Sequence, residues 1–327
     1  MRIFFLGQRQ LRMLVILIIG LVFVAGIAVN WTRIARRVIG VRAGVSLDGH
    51  LVGGLLPNEV AQVVKGMAAQ FNRNPRNATY FLETGEIIPE QTGRTVDVAA
   101  TVNRICTAAA GSNLGMVVRE LPPAITQEYF KPIYHGNENS PRVALAINVA
   151  WGEEYIPEYL KIFQAEKVKV TFFLVGTWVK TFPELVRKMA AAGHELANHG
   201  MYHGHPDQMG REDLKELIIA NTDLIQSVIG KTPVKYFAPP YGEMNSSIVG
   251  TAGDLGYRTI MWSVDSIDWK RPAPDVLLER VLSKIEPGGI ILLHPTQPTK
   301  EALPALIRGL RQKGLEPGTV TSVLQEA

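Results

Sequence analysis

His199 and His203 lie four residues apart in the segment HELANHGMYHGH, after a short apolar stretch. Neutral imidazoles are frequent ligands of zinc, so this pair could bind a metal ion. Other residues that could do chemistry also follow apolar segments: Tyr241, Asp265, Asp268 and His294. Each one alone has an ordinary structural explanation, such as a hydrogen-bonded residue at a strand end. Their common placement after strand-like segments favours one shared site.

The elements that must position these residues begin at Arg142. Short apolar segments alternate from there with segments whose apolar residues recur at helical spacing. The apolar segments are residues 143–150, 168–176, 194–199, 234–240, 257–265 and 288–294. This alternation predicts an α/β fold with a parallel sheet, in which functional residues gather at the carboxyl ends of the strands. Residues 142–327 are too few for a complete eight-unit barrel, so we expect a distorted (β/α) barrel.

The order of motifs in this region resembles the polysaccharide deacetylase (NodB-homology, carbohydrate esterase) family. The motifs are His199-x-x-x-His203, Phe237-Ala-Pro-Pro-Tyr241, Asp265-Ser-Ile-Asp268-Trp269 and Leu292-Leu-His294. The resemblance implies hydrolysis of N-acetyl groups on a polysaccharide. It also implies a divalent metal, usually zinc, on one Asp and two His, where it polarises the acetyl carbonyl and activates a water. A second Asp is the base and a His is the acid.

The matching positions carry the family's roles over to this chain. His199 and His203 correspond to the metal-binding histidines. His294 corresponds to the general acid that protonates the leaving amine, and Asp268 to the carboxylate that holds and polarises it.

On the substrate side, the resemblance assigns three further residues. Trp269 would form a wall of the groove, and Leu292 would contribute to the pocket for the acetyl methyl group. The backbone amide of Tyr241 would help to stabilise the oxyanion.

Two departures from the family pattern affect the chemistry. Where the family has Thr-Phe-Asp-Asp-Gly, the chain has AINVAWG at residues 146–152, so Asn148 replaces the base and the second Asp has no acidic counterpart before Glu153. Ala238 stands where the family has the Arg that pairs with the base. An amide cannot take a proton from water at neutral pH, so the usual base is missing.

The sequence therefore does not identify the third metal ligand. The amide oxygen of Asn148, Glu153, Glu154 or an atom of the substrate could complete the coordination shell. The two glutamates are also what the start of a helix favours. We expect His205 to be an exposed loop residue and His194 to be structural.

Several segments are similar to the sporulation-type deacetylase-like proteins of Gram-positive spore formers. They are residues 148–154, 193–200, 237–240 and 267–269. The similarity includes the Asn at 148 and the missing Arg, whereas the acid that the subgroup retains in its first motif is Ala150 here.

The amino-terminal part is basic and apolar. Residues 1–42 contain seven Arg and no acid, which leaves 27 basic and 30 acidic residues elsewhere, so nothing indicates a nucleic-acid partner. Residues 13–29 are uncharged and flanked by arginines. We expect residues 1–37 to be an uncleaved single-pass membrane anchor, although Gly26-Ile-Ala28 could serve as a cleavage site. The flanking arginines do not decide the orientation.

Residues 38–130 form a separate compositional unit, predicted as a small α+β domain. It resembles, through Gly93-Arg94 and Val96-Asp97 and the order of elements, a peptidoglycan-binding-type module. A structural spacer and a glycan binder both remain open. Residues 131–141, KPIYHGNENSP, are rich in turn-forming residues and predict a linker before the domain at 142–327.

The sequence thus predicts a membrane-anchored, metal-dependent N-deacetylase homologue with an altered active site, acting on peptidoglycan or a chitooligomer-like glycan. An alternative is a catalytically inactive protein that binds cell-wall glycan in a structural or sporulation-related role. A third is a hydrolase of another ester or amide. Either glycan-directed role places the domain outside the cytoplasm.

Overall fold

The computed structural model describes residues 8–81 and 83–325. The chain divides into two compact units. Unit 1 comprises residues 1–76 and 92–122, and unit 2 comprises residues 77–91 and 123–327. The stretch 77–91, which the sequence places in the small domain, is therefore part of unit 2.

The amino-terminal helix α1 runs from Gln8 to Ile39 and exposes many of its apolar side chains. In the described part of the chain no single helix meets the length and apolarity needed to cross a bilayer. Two segments of α1, Leu11–Ile27 and Val29–Ile39, are bent by 57° relative to each other. Taken together, they meet the criteria of length and composition. The first seven residues of the predicted anchor lie outside the described residues, and the anchor stays a prediction.

Unit 1 contains short strands and two amphipathic helices. Pro57 begins α2 at a position where its missing N–H costs nothing, and the Asp97 side chain caps α3 by accepting from Ala100 N at 2.9 Å. The strands pair as β2-β1-β6 and β5-β7, and the hairpin β3-β4 belongs to unit 2. In chain order the elements are β1 (Ser46–Leu47), β2 (His50–Leu51), α2 (Pro57–Phe71), β3 (Thr79–Tyr80), β4 (Ile87–Ile88), β5 (Gly93–Val96), α3 (Val98–Thr107), β6 (Asn113–Leu114) and β7 (Val118–Leu121).

The main sheet of unit 2 is parallel, with strand order β12-β11-β10-β9-β8-β14-β13 and β15 paired with β8. Its strands are β8 (Arg142–Val149), β9 (Thr171–Leu174), β10 (Glu195–Asn198), β11 (Tyr236–Phe237), β12 (Arg258–Thr259), β13 (Val264–Asp265), β14 (Ile290–Leu293) and β15 (Glu316–Gly318). Its helices are α4 (Ile156–Ala165), α5 (Gly176–Thr181), α6 (Pro183–Ala191), α7 (Arg211–Ile229), α8 (Ser246–Asp254), α9 (Pro274–Leu282), α10 (Gln297–Gln312) and α11 (Val320–Leu324). The predicted distorted (β/α) barrel is confirmed as a curled parallel β/α fold.

Strand β8 shows why the sheet positions the site. Val143, Leu145 and Ile147 pack into the core between sheet and helices, whereas Ala144 and Ala146 join the smaller cluster on the opposite face. Side chains alternate along a strand, so Asn148 follows the two alanines on that opposite face. Small residues there leave room at the carboxyl end of the strand.

The segment predicted as a linker is bonded into unit 2. Ile133 N donates to Thr259 O at 2.9 Å, and Met261 N donates to Ile133 O at 2.7 Å. Gly136 N donates to Gly288 O at 2.7 Å. The segment therefore attaches both to the β12 side of the sheet and to the residues just before β14.

Candidate functional site

A cleft of about 450 Å³ opens at the carboxyl ends of the strands of unit 2. It collects every predicted site residue except Asp268, which lies buried behind it. The lining residues are Asn148, Ala150, Trp151, His199, His203, Tyr241, Gly242, Trp262, Asp265, Trp269, Leu292 and His294.

His199 and His203 are brought together, with ring centroids 5.2 Å apart. His199 is fully buried, and its Nδ1 lies 2.7 Å from Ala238 O, which assigns the proton to Nδ1 and leaves Nε2 as the ligand atom. Burial lowers the pKa of His199 to about 3 and, to a smaller extent, the pKa of His203. Both imidazoles are therefore neutral at pH 7, as metal binding requires.

A buried polar network holds the loop that joins the two histidines. Asn198 Oδ1 accepts from Gly200 N at 2.7 Å and from Asn221 Nδ2 at 3.0 Å. Asn198 Nδ2 donates to Ile218 O and to Thr222 Oγ1 on α7. The sequence pattern does not reveal this network, because its partners on α7 lie 20 to 24 residues from Asn198.

His294 is oriented by the fully buried carboxylate of Asp268. Its Nδ1 lies 2.8 Å from Asp268 Oδ1, so Nε2 is the nitrogen that is left for the cleft. Asp268 Oδ2 accepts from His294 N at 2.6 Å and from Thr299 Oγ1 at 2.7 Å. Three donors satisfy the buried charge, which is the condition under which a carboxylate is stable in an interior. Thr299 was not anticipated.

Among residues 8–81 and 83–325, no carboxylate forms a compact three-residue ligand group with His199 and His203. Within those ranges, the only three His, Cys, Asp or Glu side chains with ligand atoms within 4.8 Å of one another are His205, Asp207 and Glu243. Glu153 and Glu154 are absent from the cleft lining. Asn148 and Ala150 line the cleft where the family's acidic motif falls. Two imidazoles alone fit a metal incompletely.

His205 and His194 differ in their surroundings. His205 is exposed, its Nδ1 lies 2.6 Å from Glu243 Oε1, and its ring stacks on Tyr241 with centroids 4.4 Å apart. His194 is buried away from the cleft, and its Nδ1 accepts from Val170 N at 3.2 Å.

Aromatic side chains form much of the cleft wall. Trp151, Trp269 and Tyr241 are all exposed to solvent, and Trp262 lies deeper. Tyr241 has φ 58°, a left-handed conformation that is uncommon outside glycine. Trp151 and Trp262 were not predicted as site residues, although Trp151 directly follows the altered acidic motif.

A curled parallel β/α fold with a histidine pair and a His–Asp pair at the strand ends defines a deacetylase-type site. Comparisons of sequence identify the family. The polysaccharide deacetylase profile matches residues 135–260, and a putative peptidoglycan binding domain matches residues 42–115. The chain belongs to the polysaccharide deacetylase family.

Relatives include the uncharacterized protein YlxY of Bacillus subtilis, 38% identical over 261 residues that cover 79% of this chain and 81% of the relative. A peptidoglycan-N-acetylglucosamine deacetylase of Bacillus cereus is 30% identical over 203 residues, 61% of this chain and 74% of that one. Deacetylases of this family are generally metal-dependent.

A similar solved structure is a carbohydrate esterase family 4 pseudoenzyme from Bacillus anthracis. It is 36% identical, covers 82% of this chain and 95% of its own, and superposes with a TM-score of 0.60. A mutant of that pseudoenzyme is described as having restored enzymatic activity.

Proposed function

We propose that this chain is a glycan-binding member of the deacetylase family that recognises N-acetylated cell-wall polysaccharide and hydrolyses it slowly or not at all. One observation carries the proposal. Asn148 and Ala150 line the cleft beside His199 and His203, and no carboxylate of the described residues, Asp265 of the same cleft included, forms a compact three-residue ligand group with that pair.

The chemistry follows from those side chains. Removal of an acetyl group needs a group that takes a proton from water, and the Asn148 amide cannot do this at neutral pH. The His294–Asp268 pair keeps an oriented nitrogen toward the cleft, which suits donation to a leaving amine or a hydrogen bond to a bound sugar. The cleft therefore keeps groups that suit binding of a sugar, while Asn148 cannot act as the base that activates water.

An efficient metal-dependent deacetylase is the second candidate function. The intact His294–Asp268 pair and the neutral histidines favour it. A metal, with zinc as the first choice for imidazole ligands, would lower the pKa of a bound water and so reduce the need for a separate base.

The proposed location is the outer face of a cell membrane, with α1 as the anchor. The exposed apolar side chains of α1 and the glycan-directed cleft support this placement. The peptidoglycan-binding-type module of residues 42–115 would add contacts to the same polymer.

Glycan binding and acetate release, measured on the same detergent-solubilised full-length chain, test the proposal. We expect saturable binding of N-acetylglucosamine oligomers together with little or no acetate release from the oligomers or from peptidoglycan. Efficient turnover would establish the second candidate instead. Absence of glycan binding would refute the proposal.

A further inference from the structure

The indole of Trp151 forms the cleft wall next to His294. The two ring centroids are 6.0 Å apart and the ring planes differ by only 7°, so one face of the indole lies along the imidazole. Trp151 still exposes 39% of its surface. Part of the indole therefore remains open to a ligand in the cleft.

The loop that carries Trp151 is held in place by its neighbour. Gly152 has φ 82°, and a Cβ at this position would overlap the carbonyl oxygen of Pro295. Only glycine accepts both the left-handed backbone and this close approach. Since Pro295 directly follows His294, the two segments are packed together and the indole is positioned before any ligand arrives. Such preorganisation lowers the entropic cost of binding.

A second tryptophan on the same cleft has a similar arrangement. Trp269 is 50% exposed, and Lys270 Nζ lies 4.9 Å from the centre of its ring. The cleft thus presents two partly exposed tryptophans, each with one protein group packed along its ring. Flat apolar faces beside a few polar groups suit a ring whose C–H bonds lie on one face and whose polar groups lie at its edge.

The charge of the lining favours a neutral ligand. Asp265 is the one carboxylate among the described lining residues, and the lining contains no Lys or Arg. Asp265 Oδ1 already accepts from Ile267 N at 2.8 Å. A phosphorylated or otherwise anionic ligand would find no Lys or Arg to pair with among the described lining residues, whereas a neutral sugar needs none.

We propose that Trp151 is the stacking platform that holds a neutral N-acetylhexosamine ring beside His294 and largely sets the affinity of the cleft for glycan. The proposal rests on the glycan-binding function above and adds a specificity-determining residue to it. Trp151 acts through contact with the sugar and takes no part in proton transfer.

Titration of full-length protein in detergent micelles with the tetramer of N-acetylglucosamine tests this role by calorimetry. We expect Trp151→Ala to raise Kd about tenfold or more, and Trp151→Phe to recover most of the affinity. Tyr134→Ala is the matched control, because Tyr134 is exposed in unit 2 but does not line the cleft. It should leave Kd unchanged.

A second readout separates stacking from a structural role. Saturation-transfer NMR should show the hydrogens of one sugar-ring face receiving magnetisation in the wild type and losing it in Trp151→Ala, with an unchanged thermal unfolding midpoint. Equal Kd values for the wild type and Trp151→Ala would overturn the role of Trp151 and leave glycan binding intact. An affinity loss that accompanies a lowered midpoint and is not recovered by Trp151→Phe would also overturn it. No binding by the wild type would refute both proposals.

Discussion

His294 and Asp268 are joined twice. The imidazole Nδ1 lies 2.8 Å from one carboxylate oxygen, and the backbone N–H of His294 donates to the other oxygen at 2.6 Å. Thr299 adds a third donor. The fully buried carboxylate therefore fixes both the ring and the backbone of the residue that faces the cleft.

Asp268→Asn tests this double attachment. The substitution replaces one of the two accepting carboxylate oxygens of Asp268 with an amide NH2 group, which cannot accept a hydrogen bond. At least one of the three donors is therefore left without an acceptor in the protein interior. We expect unit 2 to lose about 2 to 4 kcal/mol of unfolding free energy. Urea titration followed by tryptophan fluorescence measures the loss. Thr299→Ser, which keeps its hydroxyl, should shift the midpoint far less, and equal midpoints for Asp268→Asn and the wild type would contradict the role.

Placing aspartates at the two cleft positions where the family has acidic residues should restore deacetylation. We expect the double variant Asn148→Asp, Ala150→Asp to gain metal affinity and to release acetate from N-acetylglucosamine oligomers faster than the wild type by tenfold or more. Ala238→Arg, added separately, would supply a partner for the new carboxylate, but Ala238 is buried and its enlargement can cost stability.

The control for this gain is the same double variant with His294→Ala. It should lose the acetate release, because the leaving amine then lacks its proton donor. A gain that survives the loss of His294 would contradict the assigned acid.

Two histidine groups could bind a metal, and substitutions tell them apart. His199→Ala should lower the zinc, cobalt or nickel bound to purified protein, because Nε2 of His199 is the buried ligand atom of the cleft. His205→Ala is the matched comparison, since His205 lies in the exposed group with Asp207 and Glu243. Plasma emission spectrometry after dialysis against each metal gives the stoichiometry. Unchanged metal in His199→Ala and reduced metal in His205→Ala would place any metal outside the cleft.

Stability should fall as the pH is lowered through the range set by His194. Burial lowers the pKa of His194 to about 4, against an ordinary value near 6.5. Between these values the unfolded chain binds a proton that the folded chain does not, so the contribution is complete above pH 6.5 and is lost as the pH falls to about 4. The loss is at most about 3 kcal/mol.

His194→Asn isolates this contribution, because its side-chain oxygen can still accept from Val170 N but does not titrate. Between pH 7.5 and about 4, the urea midpoint of the wild type should fall more steeply than that of the variant. The lowered pKa of His199 affects the stability of both proteins equally, so it cancels when their midpoints are compared. Parallel pH profiles of the two proteins would exclude His194 as the source.

Gly250 in α8 allows the ring of Tyr80 to pack directly on the helix. A Cβ at Gly250 would overlap that ring, so Gly250→Ala should destabilise unit 2 by about 1 to 3 kcal/mol. Gly66→Ala in α2 is the opposite case, since nothing lies within 4 Å of its Cβ position, and it should stabilise by up to about 1 kcal/mol. Thermal unfolding measures both, and Tyr80→Ala should relieve the cost of Gly250→Ala.

The sequence predicted the parallel strands and the gathering of polar residues at one end of the sheet because both depend on local patterns. Apolar runs such as residues 143–150 identify buried strands, and the ends of parallel strands converge by geometry. The contact of Tyr80 with Gly250 depends instead on shape complementarity across about half of the chain, which no local pattern records. For that reason the sequence pattern places residues 77–91 in the small domain, whereas in the structure they belong to unit 2.

The sequence also fails to predict two residues of the site, Thr299 and Trp151, because their roles depend on contacts between distant parts of the chain. Thr299 lies 31 positions after Asp268, and a threonine at a helix start has the simpler explanation of a cap. Trp151 was visible in the motif, but a lone tryptophan is more often a core residue. Only its position against His294 and its exposure reveal it as a wall of the cleft.

The segment 133–136 also decides how unit 2 can be produced as a fragment. Ile133 pairs beside β12 and His135 pairs beside β14, so the backbone of this segment covers sheet positions that a protein starting at Arg142 would leave unpaired. Unpaired strand edges are templates for intermolecular association. A fragment that starts at the apparent domain boundary would therefore be prone to aggregate, and the start must lie upstream of residue 131.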